Sequence, residues 1–173
     1  EYILWTNNKS LIPKTVAHPL NGLDTGLEEK VSVREIQEIF PVEEYGKFYE
    51  LVENSLFADA SDWIRYRLLE KLGGIYRDAD HEFFHSLLPL VHSYNFVMSF
   101  EPNGTYLNNS FIACTKGHPV MKKAIEMIDR NYDPQRIPKY VKDTAHDKIL
   151  STILKTGPLL ITSAYHLAKK DPK

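Results

Sequence analysis

Apolar residues recur along this chain with two periods, and the change from one to the other divides it into short strands and amphipathic helices. Tyr2 to Thr6 (Tyr-Ile-Leu-Trp-Thr) is a β-prone run closed by Asn7-Asn8, which predicts a strand and a turn. Residues 9–30 contain two prolines and two glycines and read as loop with one helical turn. Val31-Ser32-Val33 reads as a second strand, and Glu35 to Phe40 as a helix stopped by Pro41. Glu44 to Asn54 places Tyr45, Phe48, Leu51 and Val52 on one helical stripe. Asp59 to Leu72 is a second helix, with Ile64, Leu68 and Leu72 one turn apart and Trp63 and Leu69 widening the stripe. Gly73-Gly74 ends it, and Ile75-Tyr76-Arg77 is a strand running into Asp78-Ala79-Asp80. Phe83 to Tyr94 reads as a buried loop or short helix, Asn95 to Phe100 and Phe111 to Thr115 as strands. Pro119 to Asn131 is a helix with Pro119 in its first turn, followed by helices over Tyr140 to Leu154 and Leu159 to Lys169. Strands and helices mixed throughout predict an α/β fold.

The chain has 173 residues, enough for one ordinary domain. With 43% hydrophobic and 25% charged residues it is globular rather than disordered. A net charge of -2 offers nothing to nucleic acid or to an anionic membrane surface. Its single cysteine, Cys114, closes no internal disulfide and reads as a small buried hydrophobe. No apolar run approaches the roughly 20 residues that a membrane-crossing helix needs. The opening Glu1-Tyr2-Ile3 resembles the middle of a protein, and the end, Lys169 to Lys173, a polar tail.

Candidate chemistry gathers around residues 59–80. Side chains two apart on a strand share a face, so Asp78 and Asp80 are expected to converge at a strand end. Two hard oxygen ligands suit Mg²⁺ or Mn²⁺. A D-x-D alone is more often a solvated strand end. Asp62 and Arg65, one helical turn apart, share a face outside the Ile64/Leu68/Leu72 stripe. They form either an exposed ion pair of small worth or a pair that meets an anionic ligand and hydroxyls.

The run Ala60-Ser61-Asp62-Trp63-Ile64-Arg65-Tyr66, then Leu68-Leu69, then Gly73-Gly74-Ile75-Tyr76-Arg77-Asp78-Ala79-Asp80 resembles the signature of the D-x-D glycosyltransferases. That group includes the Och1-like sugar transferases and the large clostridial toxin glucosyltransferases. Leu107-Asn108-Asn109-Ser110-Phe111, Gly117-His118-Pro119 and Thr156-Gly157-Pro158 are weaker likenesses to the same family, and Tyr2 to Thr6 resembles its second strand.

The resemblance implies a GT-A-like nucleotide-sugar-binding sandwich, a mixed sheet flanked by helices, incomplete at both ends and forming a single catalytic domain over residues 1–173. It implies transfer of a sugar from a nucleotide-sugar (UDP- or GDP-sugar) donor to a protein or glycan acceptor, with Mn²⁺ or Mg²⁺ and with retention. Carried over by motif, Asp62 and Arg65 hold the donor sugar and Tyr76 lies beside the nucleotide. Asp78 touches the ribose and reaches the metal through water, Asp80 binds the metal directly, and Asn109 faces the donor sugar or the reacting centre.

Other residues have simpler roles. Trp5 is expected in the core of its strand. His81, His146 and His166 read as packing or surface histidines before they read as ligands, and Asn108 as a turn cap. Two other classes compete. One is a metal-dependent phosphohydrolase, which calls for further acidic ligands after Asp80. The other is a non-catalytic sugar- or nucleotide-binding member of the fold. Sparse cysteine and near-neutral charge favour a bacterial cytoplasmic enzyme, or one secreted into a host cell, over a Golgi enzyme.

Overall fold

The computed structural model describes residues 2–12 and 31–170, and the chain divides into two compact units between Glu50 and Leu51. Most of the loop expected over residues 9–30, from residue 13 on, lies outside the described residues, as does the tail beyond Lys170.

In the first unit, β1 (Tyr2–Thr6) and β2 (Val31–Glu35) pair in parallel, from Tyr2 opposite Val31 to Thr6 opposite Glu35. Asn8 caps the short turn Lys9–Leu11 by accepting from Ser10 N at 2.9 Å. The helix expected over Glu35 to Phe40 is a single tight turn, Ile36–Glu38. Its capping box closes at once, with each glutamate accepting from the other's backbone, and Pro41 follows too soon for a second turn. Beyond it α1 (Val42–Glu53) begins, with Phe48 buried as its stripe predicts.

The second unit holds α2 (Phe57–Leu72), β3 (Gly74–Arg77), α3 (Leu88–Ser93), β4 (Phe96–Phe100), β5 (Leu107–Cys114), α4 (Pro119–Asn131), α5 (Lys139–Lys142), α6 (Lys148–Lys155) and α7 (Pro158–Lys170). Its three strands form an antiparallel sheet in the order β3-β5-β4. Parallel and antiparallel pairings therefore fall in different sheets. Helix α4 packs on α2 and α7, and α7 also on β5. Trp63, Tyr66, Ile112, Met121, Ile128, Leu160 and Ile161 fill the core between them.

Three local readings change. The expected α2 stripe holds in part: Trp63, Leu68 and Leu69 are buried, whereas Ile64 is half-buried and Leu72 is 46% exposed. The buried face also takes in Asp59, Ala60, Asp62, Arg65 and Tyr66, and hydrophobic periodicity misses this part because three of those residues, Asp59, Asp62 and Arg65, are charged. The long helix expected over Tyr140 to Leu154 is two, because Asp147 caps a fresh start by accepting from Leu150 N at 3.0 Å. Phe83 to Tyr94 is an exposed segment containing α3, with Phe84 81% exposed.

Two devices place the site. Gly73 closes α2 at a φ of 69°, and a Cβ there would stand 2.5 Å from Lys116 N, so only glycine lets α2 end against the β5–α4 turn. Gly117 N then donates to Glu70 O at 2.8 Å. Against β4 the register of β5 slips: Met98 faces Ile112 while Ser99 faces Asn108, so residues 109–111 bulge out of that ladder, although Phe111 stays paired with Arg77 of β3. A bulge re-aims side chains, and this one turns Asn109 toward α2.

Candidate functional site

Helix α2 carries Asp62 and Arg65 inward rather than to solvent; they are 6% and 5% exposed. The reading of an exposed surface pair is therefore set aside. Arg65 Nη1 stands 3.2 Å from Asp62 Oδ1 and donates to the Asn109 carbonyl at 2.7 Å. Its Nη2 donates to Ser61 Oγ at 3.1 Å and lies 3.4 Å from Asp78 Oδ1. The guanidinium also rests 4.4 Å from the centroid of the Tyr76 ring. A planar fork can hold all of these at once, which a lysine ammonium cannot. Arg65 Nε is buried with no hydrogen-bond partner among the described residues.

Asp62 is held on both oxygens. Oδ1 accepts from Asn109 Nδ2 at 2.8 Å, and Oδ2 from Thr156 Oγ1 at 2.8 Å. Burial raises the Asp62 carboxyl above its ordinary value, against the pull of Arg65 and of the hydrogen bonds from Thr156 and Asn109. Burial also works against the Arg65 charge. Asp62, Tyr76, Tyr66 and Asp78 outweigh it, and the guanidinium stays firmly protonated.

Strand β3 brings up the D-x-D. Asp78 N donates to Ser110 O at 2.8 Å, so Asp78 is the last residue on the ladder. His81 N then donates to Asp78 O at 3.1 Å, and Asp80 sits inside that turn. The strand rule that places both carboxylates on one face thus reaches Asp78 and stops short of Asp80. Tyr76 donates its hydroxyl to Asp78 Oδ1 at 2.6 Å. Burial, with Asp78 beside it and Arg65 opposing, pushes the Tyr76 phenol up to about 12. Arg77 Nη1 steadies the turn by donating to His81 O at 2.6 Å.

Five of the six residues singled out from the sequence are joined here: Asp62, Arg65, Tyr76, Asp78 and Asn109 form one hydrogen-bonded and ion-paired network. Asp80 is exposed next to it and has no polar partner among the described residues. Among those residues, no three His, Cys, Asp or Glu side chains converge as a metal cage. Asp78 and Asp80 would hold a hard cation only together with water and a ligand's phosphate oxygens, the usual way of Mg²⁺.

Sequence reasoning missed Tyr66, Ser61 and Thr156. Tyr66 OH donates to Thr156 O at 2.9 Å and accepts from Asn109 Nδ2 at 3.0 Å. Burial drives its phenol far above the ordinary value. Tyr66 and Thr156 both stood in quoted motifs, and polar residues inside a shared motif were the available signal. The remaining candidates are local. His81 makes an edge contact with Phe83, His146 is exposed, and His166 is exposed against Tyr165. Trp5 is half-buried, Asn108 accepts from Ser110 N at 2.7 Å, and burial pushes the Cys114 thiol up to about 12. His118 caps α4 through its ring nitrogen and stacks on Phe96, 4.7 Å between centroids.

Comparison with known proteins bears on the family and the fold. Residues 1–97 match the family described as glycosyltransferase sugar-binding region containing DXD motif. Inositol phosphoceramide mannosyltransferase 3 of Schizosaccharomyces pombe is 29% identical over 117 residues, 66% of this chain and 29% of that protein. The solved structure of PaToxG glycosyltransferase superposes with a TM-score of 0.56 at 20% identity, covering 81% of this chain and 48% of that one. This chain thus spans less than half the length of each of these relatives, and the second likeness supports a GT-A-like α/β fold.

Proposed function

We propose, from the premise that this chain belongs to the family of glycosyltransferases whose sugar-binding region contains a DXD motif, that it moves a sugar from a nucleotide-sugar to a protein or glycan acceptor, with metal dependence and with retention. The observation that carries the reading is Arg65, whose guanidinium lies between buried Asp62 at 3.2 Å and half-exposed Asp78 at 3.4 Å. One cation thereby couples the carboxylate suited to sugar hydroxyls with the carboxylates suited to a diphosphate.

Each residue has a chemical role in this reading. A carboxylate offers roughly four lone-pair positions. Asn109, Arg65 and Thr156 take three of those on Asp62, leaving one on Oδ2 for a sugar hydroxyl. The fixed negative charge of Asp62 favours an oxocarbenium-like sugar. Arg65 bridges Asp62 and Asp78 and offsets part of their combined negative charge. Tyr76 lies against the nucleotide while its hydroxyl orients Asp78. Asp80, exposed and unpartnered among the described residues, would ligate a cation directly, and Asp78 would touch the ribose and reach that cation through water. When bound, Mn²⁺ or Mg²⁺ offsets charge on the departing diphosphate. Asn109 acts from behind: its amide nitrogen is spent on Asp62 and Tyr66, and only its amide oxygen is left to face a ligand.

Titration with UDP and with GDP, each with and without Mn²⁺, tests the reading. Binding that requires Mn²⁺ and weakens in Asp80→Asn is the expected result. Equal binding in chelator would overturn the metal role. Anomeric NMR of the transferred sugar decides retention.

A further inference from the structure

We propose that Thr156, at the corner between α6 and α7, is a positioning residue that locks the Asp62 carboxylate in the orientation needed for the sugar, an inference that rests on the glycosyl-transfer reading above. Thr156 is fully buried and meets the Asp62 oxygen that Arg65 does not pair with. Its Oγ1 donates to Asp62 Oδ2 at 2.8 Å. Its carbonyl accepts from Tyr66 OH at 2.9 Å, Tyr66 OH accepts from Asn109 Nδ2 at 3.0 Å, and the same nitrogen donates to Asp62 Oδ1 at 2.8 Å. The four residues thus close a ring of hydrogen bonds through the carboxylate. A carboxylate held on one oxygen can swivel; one held on both cannot.

The corner itself cannot drift. A Cβ on Gly157 would stand 3.0 Å from Ile153 Cα, so the chain turns as tightly as glycine permits before Pro158 opens α7. One turn earlier on α6 the same device occurs without the site: Thr152 Oγ1 donates to Asp59 Oδ1 at 2.5 Å. Asp59 has no contact with Arg65 or the D-x-D turn among the interactions described, and Thr152 is therefore the internal control. The groups that act on the Asp62 charge are Arg65, Asp59 and Tyr66 from α2, Asn109 from β5 and Thr156, with Tyr76 and Asp78 beyond Arg65.

The experiment compares Thr156→Val, Thr156→Ser and Thr152→Val with the wild-type chain. The first readout is a ¹³C carboxylate NMR titration, the Asp62 signal being assigned by its loss in Asp62→Asn. Removing a donor from the ionised form should move the Asp62 midpoint to higher pH in Thr156→Val. It should stay in place in Thr156→Ser and in Thr152→Val. The second readout is Mn²⁺-dependent turnover of UDP-glucose and GDP-mannose. Thr156→Val should lose about 10-fold or more, the weight of one hydrogen bond to a charged group, and Thr156→Ser should recover to within about threefold of wild type. An unmoved Asp62 midpoint in folded Thr156→Val overturns the proposal, as does a turnover loss no larger than that of Thr152→Val. If the wild type consumes neither donor, the glycosyl-transfer reading fails, and the titration still decides whether Thr156 governs the carboxylate. Should Thr156→Val not fold, Thr156→Cys, of similar volume and weaker donor strength, is read in the same way.

Discussion

Asp59 and Asp62 lie one turn apart on the same helix, are almost equally buried, and each receives a threonine hydroxyl, Asp59 from α6 and Asp62 from the corner just after it. Their other partners separate them. Asp59 accepts from the Tyr132 hydroxyl, and so ties α2 to the end of α4 through neutral donors. Asp62 has Arg65, and through Arg65 it reaches Asp78 and the D-x-D turn. Burial and local hydrogen bonding therefore do not distinguish a carboxylate that holds helices together from one placed for chemistry. A charged partner that continues toward an exposed acidic turn does.

Removing the charged partner should have the largest effect. Arg65→Met leaves Asp62 buried without its cation, which costs on the order of 3–5 kcal/mol of stability, and the melting temperature should fall sharply. A thermal melt checks it; a melt within a degree of wild type would show that Asp62 is already neutral when paired. Asp80→Asn should have the opposite profile. Nucleotide-sugar turnover in Mn²⁺ should drop on the order of 10²-fold or more, because a direct ligand is lost, while the melting curve in chelator stays put. Asp59→Asn sharpens the contrast from the structural side. An amide nitrogen cannot accept from Tyr132 or Thr152, so one of the two part-buried hydrogen bonds to Asp59 is lost, at about 0.5–1.5 kcal/mol. That should lower the melting temperature by several degrees and leave turnover per folded molecule close to wild type.

The smallest effect is in pH dependence. Because burial raises the Asp62 carboxyl, the folded chain holds that proton more tightly than the unfolded chain does. The stability gained is complete below the unfolded carboxylate value and is lost as pH rises through the folded one. The melting temperature of wild type relative to Asp62→Asn should therefore climb as pH is lowered from neutral toward the carboxylate range. A difference that shrinks on acidification would mean that Arg65 and the hydrogen bonds, rather than burial, dominate. For activity the direction reverses: turnover should fall on acidification as Asp62 takes up its proton, and Asn at this position should abolish that limb.

Element positions were largely legible wherever local chemistry is strong. Pro119 to Asn131 is a helix at both expected ends, with Pro119 in its first turn and His118 as cap. Gly73-Gly74 marks the α2–β3 junction because its backbone needs a positive φ at both residues. Legibility failed where a distant partner altered the local preference. Strand β5 begins at Leu107, earlier than its apolar run suggests, because Thr162 Oγ1 on α7 accepts from Leu107 N at 2.8 Å and the ladder to β4 extends through Phe100. The polar run Asn108-Asn109-Ser110 is tolerated inside a strand because it bulges: Asn109 bonds to Asp62, Tyr66 and Arg65, and Asn108 accepts from Ser110 N.

The chain read as a string could name Asp62, Arg65, Tyr76, Asp78, Asp80 and Asn109, because residue type and spacing within a motif are local properties and the D-x-D run is specific. It could not say that Asp62 and Arg65 face inward, since a solvated charged face and a buried one read alike in the sequence until something is packed against them. Nor could it bring Thr156, more than ninety residues away along the chain, onto the carboxylate of Asp62. That meeting depends on α6 lying across α2, and helix packing is set by the shape of the whole core. The partners of a buried charge are fixed by that packing, because desolvation makes a charge without them too costly to keep.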